Sequence, residues 1–300
     1  MSEVMMDARA EGARMGAVSA SGRSGKAVIP KLRSPGFAFD ASLPRHWFAK
    51  NVVATHIANG VNLLFPAGER FFVRSVHHYL DQVTNPELKA QVKGFFGQEG
   101  RHAKEHERMF DTLREQGYPI DRFLALYERV AYGIIEKYAP RSLSLATTAA
   151  AEHYTAIMAE NALRMNMLQN AHPTVRALLH WHAAEEIEHR SVAFDVLQEV
   201  APGYGLRMAG LAMATVCLAG FWVMATTMLL AADPDATIER IIKDFRLARQ
   251  ARMSRHPELK GAAQAVFLRG IREYMRPDFH PSQSDIDNLA EQYLTSVGMA

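Results

Sequence analysis

Two E-x-x-H motifs hold the side chains in this sequence that are best suited to bind metal. Glu99 and His102 form the first motif, and Glu186 and His189 form the second. Residues three apart lie on the same face of a helix, so each motif can direct a carboxylate and an imidazole at one point. A single such motif arises easily by chance, and the prediction therefore depends on the positions of other acidic residues.

Two further glutamates lie where the motifs need partners. Glu69 precedes the first predicted turn by as many residues as Glu99 follows it, and Glu152 and Glu186 are placed similarly about the second turn. A helix rises about 1.5 Å per residue, so residues equidistant from a hairpin turn lie at the same height. The spacing predicts two helical hairpins that bring these side chains together, as in the two-metal carboxylate sites of four-helix bundles.

Apolar residues surround these carboxylates at helical spacing. Phe95 and Ala103 share a face with Glu99, and Ala149 and Ala156 share one with Glu152. Bare carboxylates in an apolar core are costly, whereas two divalent cations would neutralise them. We therefore expect two metal ions. The mix of oxygen and imidazole ligands favours iron, with manganese or zinc as alternatives.

A third histidine extends the second motif to H-x-x-x-E-x-x-H. His182 lies one turn before Glu186, on the same face, and we count it as a ligand rather than a core histidine. His106 is a weaker candidate, Glu185 is an alternative to Glu186, and Asp195 is considered as a residue that orients a ligand histidine. The predicted metal ligands are Glu69, Glu99, His102, Glu152, His182, Glu186 and His189.

The remaining pattern predicts an all-α fold, a four-helix bundle with additional C-terminal helices. No segment alternates apolar and polar residues as a strand does, and Asn85 before Pro86 is typical of a helix start. The predicted helices run from Pro66 to Gln82, Pro86 to Gln116, Asp121 to Pro140, Ser142 or Ser144 to Asn170, Pro173 to Val200, and over residues 236–254, 261–275 and 283–297.

Composition limits the class of protein. The 300 residues are 48% hydrophobic with a net charge of +2, which gives no reason to expect a nucleic-acid partner. The single Cys217 excludes a disulfide within one chain and favours a cytoplasmic setting. We expect a disordered leader over residues 1–38, a metal-binding bundle over 39–204, and an apolar helix with a helical extension over 205–300.

The segment Met208–Ala232 contains no charged residue and is long enough to cross a bilayer. Three interpretations remain open: a helix buried against the bundle or in an oligomer interface, a helix in or on the membrane, and a lid over an apolar tunnel. A basic stripe follows from Arg240 to Arg252 and could contact anionic lipids, which would place the protein at the inner face of the membrane.

The motifs resemble those of the ferritin-like superfamily of di-iron carboxylate proteins. Residues 40–250 are similar to a bacterial family labelled as predicted metal-dependent hydrolases, through the segments Leu64–Phe72, Gly97–His106 and His180–Ser191. The spacing of Glu152 to the H-x-x-x-E-x-x-H motif is also similar to that of di-iron N-oxygenases of the p-aminobenzoate type. These resemblances imply a ferritin-like bundle and a metal-dependent activity.

Two chemistries suit such a site. We favour an oxygenase that activates O₂ on an apolar small molecule, uses an electron donor, and shelters the metals with Phe72, Phe95 and Phe96. The alternative is a hydrolase in which two metals activate water, and a lesser alternative is a non-catalytic iron-binding protein. We also expect a homo-oligomer.

Overall fold

The chain is helical throughout the residues that the structure describes. This computed structural model describes residues 29–40, 42–255 and 262–300, where an isolated bridge between Phe48 and Ala171 is the nearest approach to a strand. The all-α prediction is therefore confirmed. The helices are α1 (Val52–Asn62), α2 (Phe65–His77), α3 (Pro86–Glu115), α4 (Ile120–Val130) with a π-helical turn (Ala131–Glu136), α5 (Arg141–Arg164), α6 (Pro173–His189), α7 (Val192–Val200), α8 (Tyr204–Ala232), α9 (Ile238–Arg255), α10 (Ala262–Tyr274) and α11 (Asp287–Ser296), with a 3₁₀ turn at Pro281–Gln283.

Four helices enclose the centre of the molecule. Helix α2 packs on α3 and α5, and α6 packs on α5 and α3, so the four form a closed ring. Fully buried apolar side chains such as Phe95 of α3, Leu145 of α5 and Leu178 of α6 fill the space along this ring. Each of the four helices carries predicted metal ligands. This arrangement fits the predicted bundle, although its ferritin-like identity stays a prediction.

Helix starts were predicted better than helix ends. The side chain of Asn85 caps α3 by accepting hydrogen bonds from the backbone of Glu87 and Leu88. Helix α5 begins earlier than its predicted serine caps and ends at Arg164 rather than Asn170. Asn166 there has a φ of 47°, a left-handed conformation that a right-handed helix does not contain.

The predicted helix from Pro173 to Val200 is two helices. Helix α6 ends at His189 and α7 begins at Val192. Arg190 lies at the break, where its guanidinium donates to the carbonyl of Ile187 at 2.6 Å. The first predicted helix also ends early, at His77 rather than Gln82. Arg190 also donates to the carboxylate of Asp287 and to the carbonyl of Ser284, and contacts between such distant segments leave no periodic signal in the sequence.

The N-terminal segment departs from the predicted leader. Residues 1–28 lie outside the described residues, but residues 29–38 pack on the bundle. Pro30 packs directly on Gly94, and a Cβ atom at position 94 would collide with the carbonyl oxygen of Pro30. Arg33 binds both oxygens of Glu188, at 2.7 and 2.9 Å. Residues 29–38 thus belong to the folded unit.

Helix α8 is buried along one face only. It packs extensively on α5 and α1, and Gly210 allows its backbone to approach Ala146. The opposite face is open, with Val216 71% and Val223 62% exposed. Within the described residues this is the helix long and apolar enough to cross a membrane, judged by length and composition. The inner face of α8 is therefore buried against the bundle, while an oligomer interface and a membrane stay predictions for its outer face.

Candidate metal centre

All seven predicted ligand side chains lie in one buried cluster. None is more than 3% exposed, although four of them are carboxylates. Helices α2, α3 and α5 contribute from one side and α6 from the other. The cluster contains Glu69 from α2, Glu99 and His102 from α3, Glu152 from α5, and His182, Glu186 and His189 from α6.

The cluster divides into two groups of donor atoms. In the first group, Glu69, His102 and His182 each offer one atom within 4.8 Å of the others. The Nε2 atom of His182 lies 3.6 Å from Oε1 of Glu69. In this group the imidazoles outnumber the carboxylates.

In the second group, the carboxylates outnumber the imidazole. The Nε2 atom of His189 lies 3.1 Å from Oε1 of Glu99 and 3.3 Å from Oε2 of Glu152. All three donor atoms lie within 4.8 Å of one another. The spacing therefore allows one cation in each group.

Glu186 lies between the two groups. Its Oε1 atom is 2.7 Å from Nε2 of His182, and its Oε2 atom is 3.5 Å from Nε2 of His189. Glu99 is also shared, since it groups with His102 and Glu186 as well as with the second set. Two carboxylates thus have the positions that ligands bridging two metals would need.

Many of the side-chain atoms that could bind metal have no hydrogen-bond partner. Both carboxylate oxygens of Glu69, Glu99 and Glu152 are buried and unpartnered, as are Nδ1 of His102 and Nε2 of His189. A buried polar atom without a partner costs about 1–3 kcal/mol, and more if it is charged. Cations would satisfy all of these atoms at once, so the residues present fit a metal centre.

The charges point the same way. Burial, together with repulsion from neighbouring carboxylates, raises the pKa of Glu69 and Glu99 well above the ordinary value. Burial also raises the pKa of Glu152 to about 7, with Glu186 contributing. Burial and the nearby His182 lower the pKa of His102. Glu186 differs from the other three acids, because His189 and His182 lower its pKa despite burial, and the pKa of His189 is raised in turn by Glu186 and Glu152. Cations would take the place of the protons that this cluster binds.

Each histidine of the cluster donates its remaining N–H to a partner outside it. His102 donates from Nε2 to Glu185 at 2.9 Å, and His189 donates from Nδ1 to Oε1 of Gln98 at 2.8 Å. His182 donates from Nδ1 to Nε2 of His106 at 2.7 Å. Such partners fix the tautomer and the ring orientation of metal-binding histidines. Each of the three imidazoles thus directs its other ring nitrogen towards the carboxylates.

The supporting residues differ in part from expectation. Glu185, considered as an alternative ligand, instead accepts from His102, whereas His106 holds His182, the supporting position favoured for it over ligation. Asp195 accepts from His280 at 2.7 Å, so the proposed role for Asp195 is not the one seen. Arg33 was missed altogether: its Nη1 atom lies 3.1 Å from Glu185. No motif indicated Arg33, because it lies in the segment assigned to the leader.

An apolar cavity that is open to solvent at its mouth lies beside the cluster. Its inner end is formed by Glu69 and Thr155, and the hydroxyl of Thr155 donates to Oε2 of Glu186. Helices α2, α5 and α8 and the π-helical turn form its walls. Tyr127 and Tyr132 present two hydrogen-bonded hydroxyls on walls that are mainly apolar. A ligand with an apolar part could reach the cluster from this side.

The three predicted aromatic residues have different positions. Phe72 lines the cavity. Phe95 packs edge-on against His189, with ring centroids 5.0 Å apart. Phe96 packs against His77, with ring centroids 5.9 Å apart, and the residues that line the cavity do not include it.

A second group of metal-ligand type was not predicted. His46, His56 and Asp233 lie together at the end of α8. Oδ2 of Asp233 accepts hydrogen bonds from both histidines, at 2.8 and 2.6 Å, and from the hydroxyl of Tyr118 at 2.7 Å. The residues are too far apart in sequence for any local pattern to reveal them.

Comparison with known proteins agrees with the site. The sequence profile of a family described as "Predicted metal-dependent hydrolase" matches residues 31–285, which is most of the chain. No curated protein and no solved structure matches the chain. The match spans every helix that contributes to the cluster. The protein belongs to this family of predicted metal-dependent hydrolases.

Proposed function

We propose that the protein is a hydrolase with a dinuclear metal centre, acting on a substrate with an apolar portion. The observation that carries the proposal is the set of unpartnered buried carboxylate oxygens at the inner end of an apolar cavity. Family membership supports hydrolysis over the oxygen chemistry that we favoured from the sequence. The arrangement of ligands also supports a ferritin-like bundle.

We assign the metal ligands from the two groups of ligand atoms. One cation would be held by Glu69, His102 and His182, and the other by Glu152 and His189, with Glu99 and Glu186 shared between them. Two bound divalent cations lower the pKa of a water and polarise a carbonyl or phosphoryl oxygen. Iron and manganese suit this mixture of carboxylates and imidazoles, and zinc remains possible for a hydrolase.

The protein's own residues would then position the substrate and exclude water. The cavity walls take up the apolar portion, and the hydrolysable bond lies near Glu69 and Thr155 at the inner end. Thr155 holds Glu186 in place through its hydroxyl. The hydroxyls of Tyr127 and Tyr132 supply polar contacts part of the way along the cavity.

Hydrolysis of chromogenic esters and phosphate esters tests the proposal. The metal-free protein is loaded with Mn²⁺, Zn²⁺ or Fe²⁺ and assayed anaerobically with short-chain and long-chain nitrophenyl esters. We expect metal-dependent hydrolysis that prefers the longer chains and is lost in Glu99→Ala. Equal rates for the metal-free protein, or for the variant, would show that the centre does not catalyse hydrolysis.

A second candidate is O₂ activation by two irons, and the position of His182 favours it. This third histidine faces Glu69 and Glu186, as the similarity to N-oxygenases requires. Reduced, iron-loaded protein would then consume O₂ in proportion to its iron content. O₂ consumption without ester hydrolysis would replace the hydrolase by this candidate.

A further inference from the structure

The outer face of α9 presents large apolar side chains to solvent. Ile238, Ile242 and Phe245 are 79%, 44% and 58% exposed. Their spacing of four and three residues places them on one stripe of the helix. Clustered exposed apolar residues of this size mark an interaction surface rather than ordinary surface variation.

Basic residues accompany this stripe. Arg249 continues it, Arg246 flanks it, and Lys243 lies further round the exposed side of the helix; all three are exposed. The acidic residue nearest to them in sequence, Asp244, is buried and accepts from the backbone of Val52 at 2.7 Å. The exposed Glu239 offsets one of the three basic charges. The described exposed part of α9 therefore combines apolar side chains with a net positive charge, as in helices that lie in the membrane interface.

Helix α8, which has an uncharged exposed face, directly precedes α9 in the chain. The two helices are joined by a turn over residues 233–237, and both pack on α1. The indole N–H of Trp222 in α8 donates to the carbonyl of Ile57 in α1 at 2.8 Å. Between Arg207 and Asp233, α8 has no charged residue that would oppose contact with lipid.

We propose that α9, with the exposed face of α8, docks on an anionic lipid bilayer. The apolar side chains would enter the headgroup region while Lys243, Arg246 and Arg249 contact acidic headgroups. The charge argues against a second copy of the chain as the occupant. A symmetric dimer through this surface would place like charges opposite each other.

Docking would also give the cavity its source of substrate. The inner face of α8 forms a wall of the cavity through Met213, Cys217 and Phe221, while its outer face would contact lipid. An apolar substrate could then enter from the bilayer without crossing water. This consequence rests on the proposed function, whereas the docking itself does not.

Co-sedimentation with lipid vesicles tests the docking. Vesicles of phosphatidylcholine with phosphatidylglycerol are compared with vesicles of phosphatidylcholine alone. We expect binding to the anionic vesicles that is weakened by salt and at least about tenfold weaker for Phe245→Asp. Lys243→Ala and Arg246→Ala should each weaken it about fivefold.

Matched controls come from α4. Leu126 is an apolar residue 47% exposed, and Arg122 is exposed. Leu126→Asp and Arg122→Ala should leave vesicle binding unchanged. Circular dichroism and metal content establish that each variant is folded, and the two alanine variants carry the test if Phe245→Asp does not fold.

Three results would overturn the docking. The first is absence of binding to anionic vesicles, and the second is an equal loss in the α4 controls. The third is a dimer in light scattering that Phe245→Asp dissociates, with no vesicle binding, because the surface would then join two copies. Each of these outcomes leaves the ester hydrolysis assay unaffected, so failure of docking is distinct from failure of the proposed function.

Discussion

Two buried clusters of histidine and acid in this protein differ in how well their polar atoms are satisfied. The cluster at His46, His56 and Asp233 has one carboxylate, and three donors converge on one of its oxygens. The central cluster has four carboxylates, three of which have both oxygens unpartnered. The side-chain types are similar in the two clusters. In the peripheral cluster hydrogen-bond donors outnumber the carboxylate, whereas in the central cluster the carboxylates lack donors.

The difference shows how a buried acid can be stabilised without a metal. Two imidazole N–H groups and the hydroxyl of Tyr118 hold the pKa of Asp233 below its ordinary value despite burial. In the central cluster, burial and mutual repulsion raise the pKa of Glu69 and Glu99 instead. We infer that cations belong to the central cluster and that the peripheral cluster is a hydrogen-bonded joint between α8 and the N-terminal segment.

Removal of a shared carboxylate is expected to have the largest effect. Glu99→Ala should reduce metal affinity by more than about 100-fold, since even the loss of a supporting residue costs 10–100-fold. Metal content of the purified variant measures this. Glu105→Ala serves as the control, because Glu105 is buried on the same helix but pairs with Arg108. Equal metal content in wild type and Glu99→Ala would contradict the assignment.

Metal affinity should rise with pH. Burial and neighbouring carboxylates raise the pKa of Glu69 and Glu99 in the metal-free protein, and burial raises the pKa of Glu152 to about 7, so these acids bind protons more tightly than free glutamate does. Binding must release these protons, so affinity increases about tenfold per pH unit for each proton released. Calorimetry in buffers with different ionisation enthalpies counts them. An affinity independent of pH from 6 to 8 would show that the acids are already ionised.

Loss of a supporting hydrogen bond should have an intermediate effect. Gln98→Leu removes the acceptor of the His189 Nδ1–H and should weaken metal binding about 10–100-fold. Gln91→Leu, a buried glutamine on the same helix, is the control for a general effect on α3. Titration with Zn²⁺ or Mn²⁺ measures the change. If both variants bind equally well, the orientation of His189 does not depend on Gln98.

The smallest effect on metal is expected at the peripheral cluster. His56→Ala should leave metal content unchanged and lower the free energy of unfolding by about 1–3 kcal/mol, because it leaves Asp233 with fewer donors. Chemical denaturation and metal analysis of the same sample measure both. If the metal content of His56→Ala fell while that of Glu99→Ala did not, the metal would belong to the peripheral cluster and not to the central one.

The sequence predicted the helices that carry the cluster and which side chains converge. Glu69 and Glu99 lie at equal distances in sequence from one hairpin turn, and Glu152 and Glu186 are placed similarly about a second turn. Because a helix has a constant rise per residue, the two members of each pair lie at the same level along the bundle axis. The helix break at Arg190 and the partners Gln98 and Arg33 could not be predicted. They depend on contacts between segments distant in sequence. The contact of Asp233 with His46 could not be predicted for the same reason.

Anomalous X-ray scattering from crystals of metal-loaded protein tests the central claim most directly. We predict two peaks, one near Glu69 and His182 and the other near Glu152 and His189, with Glu99 and Glu186 between them. A single peak beside His46, His56 and Asp233, with none in the central cluster, would contradict the account.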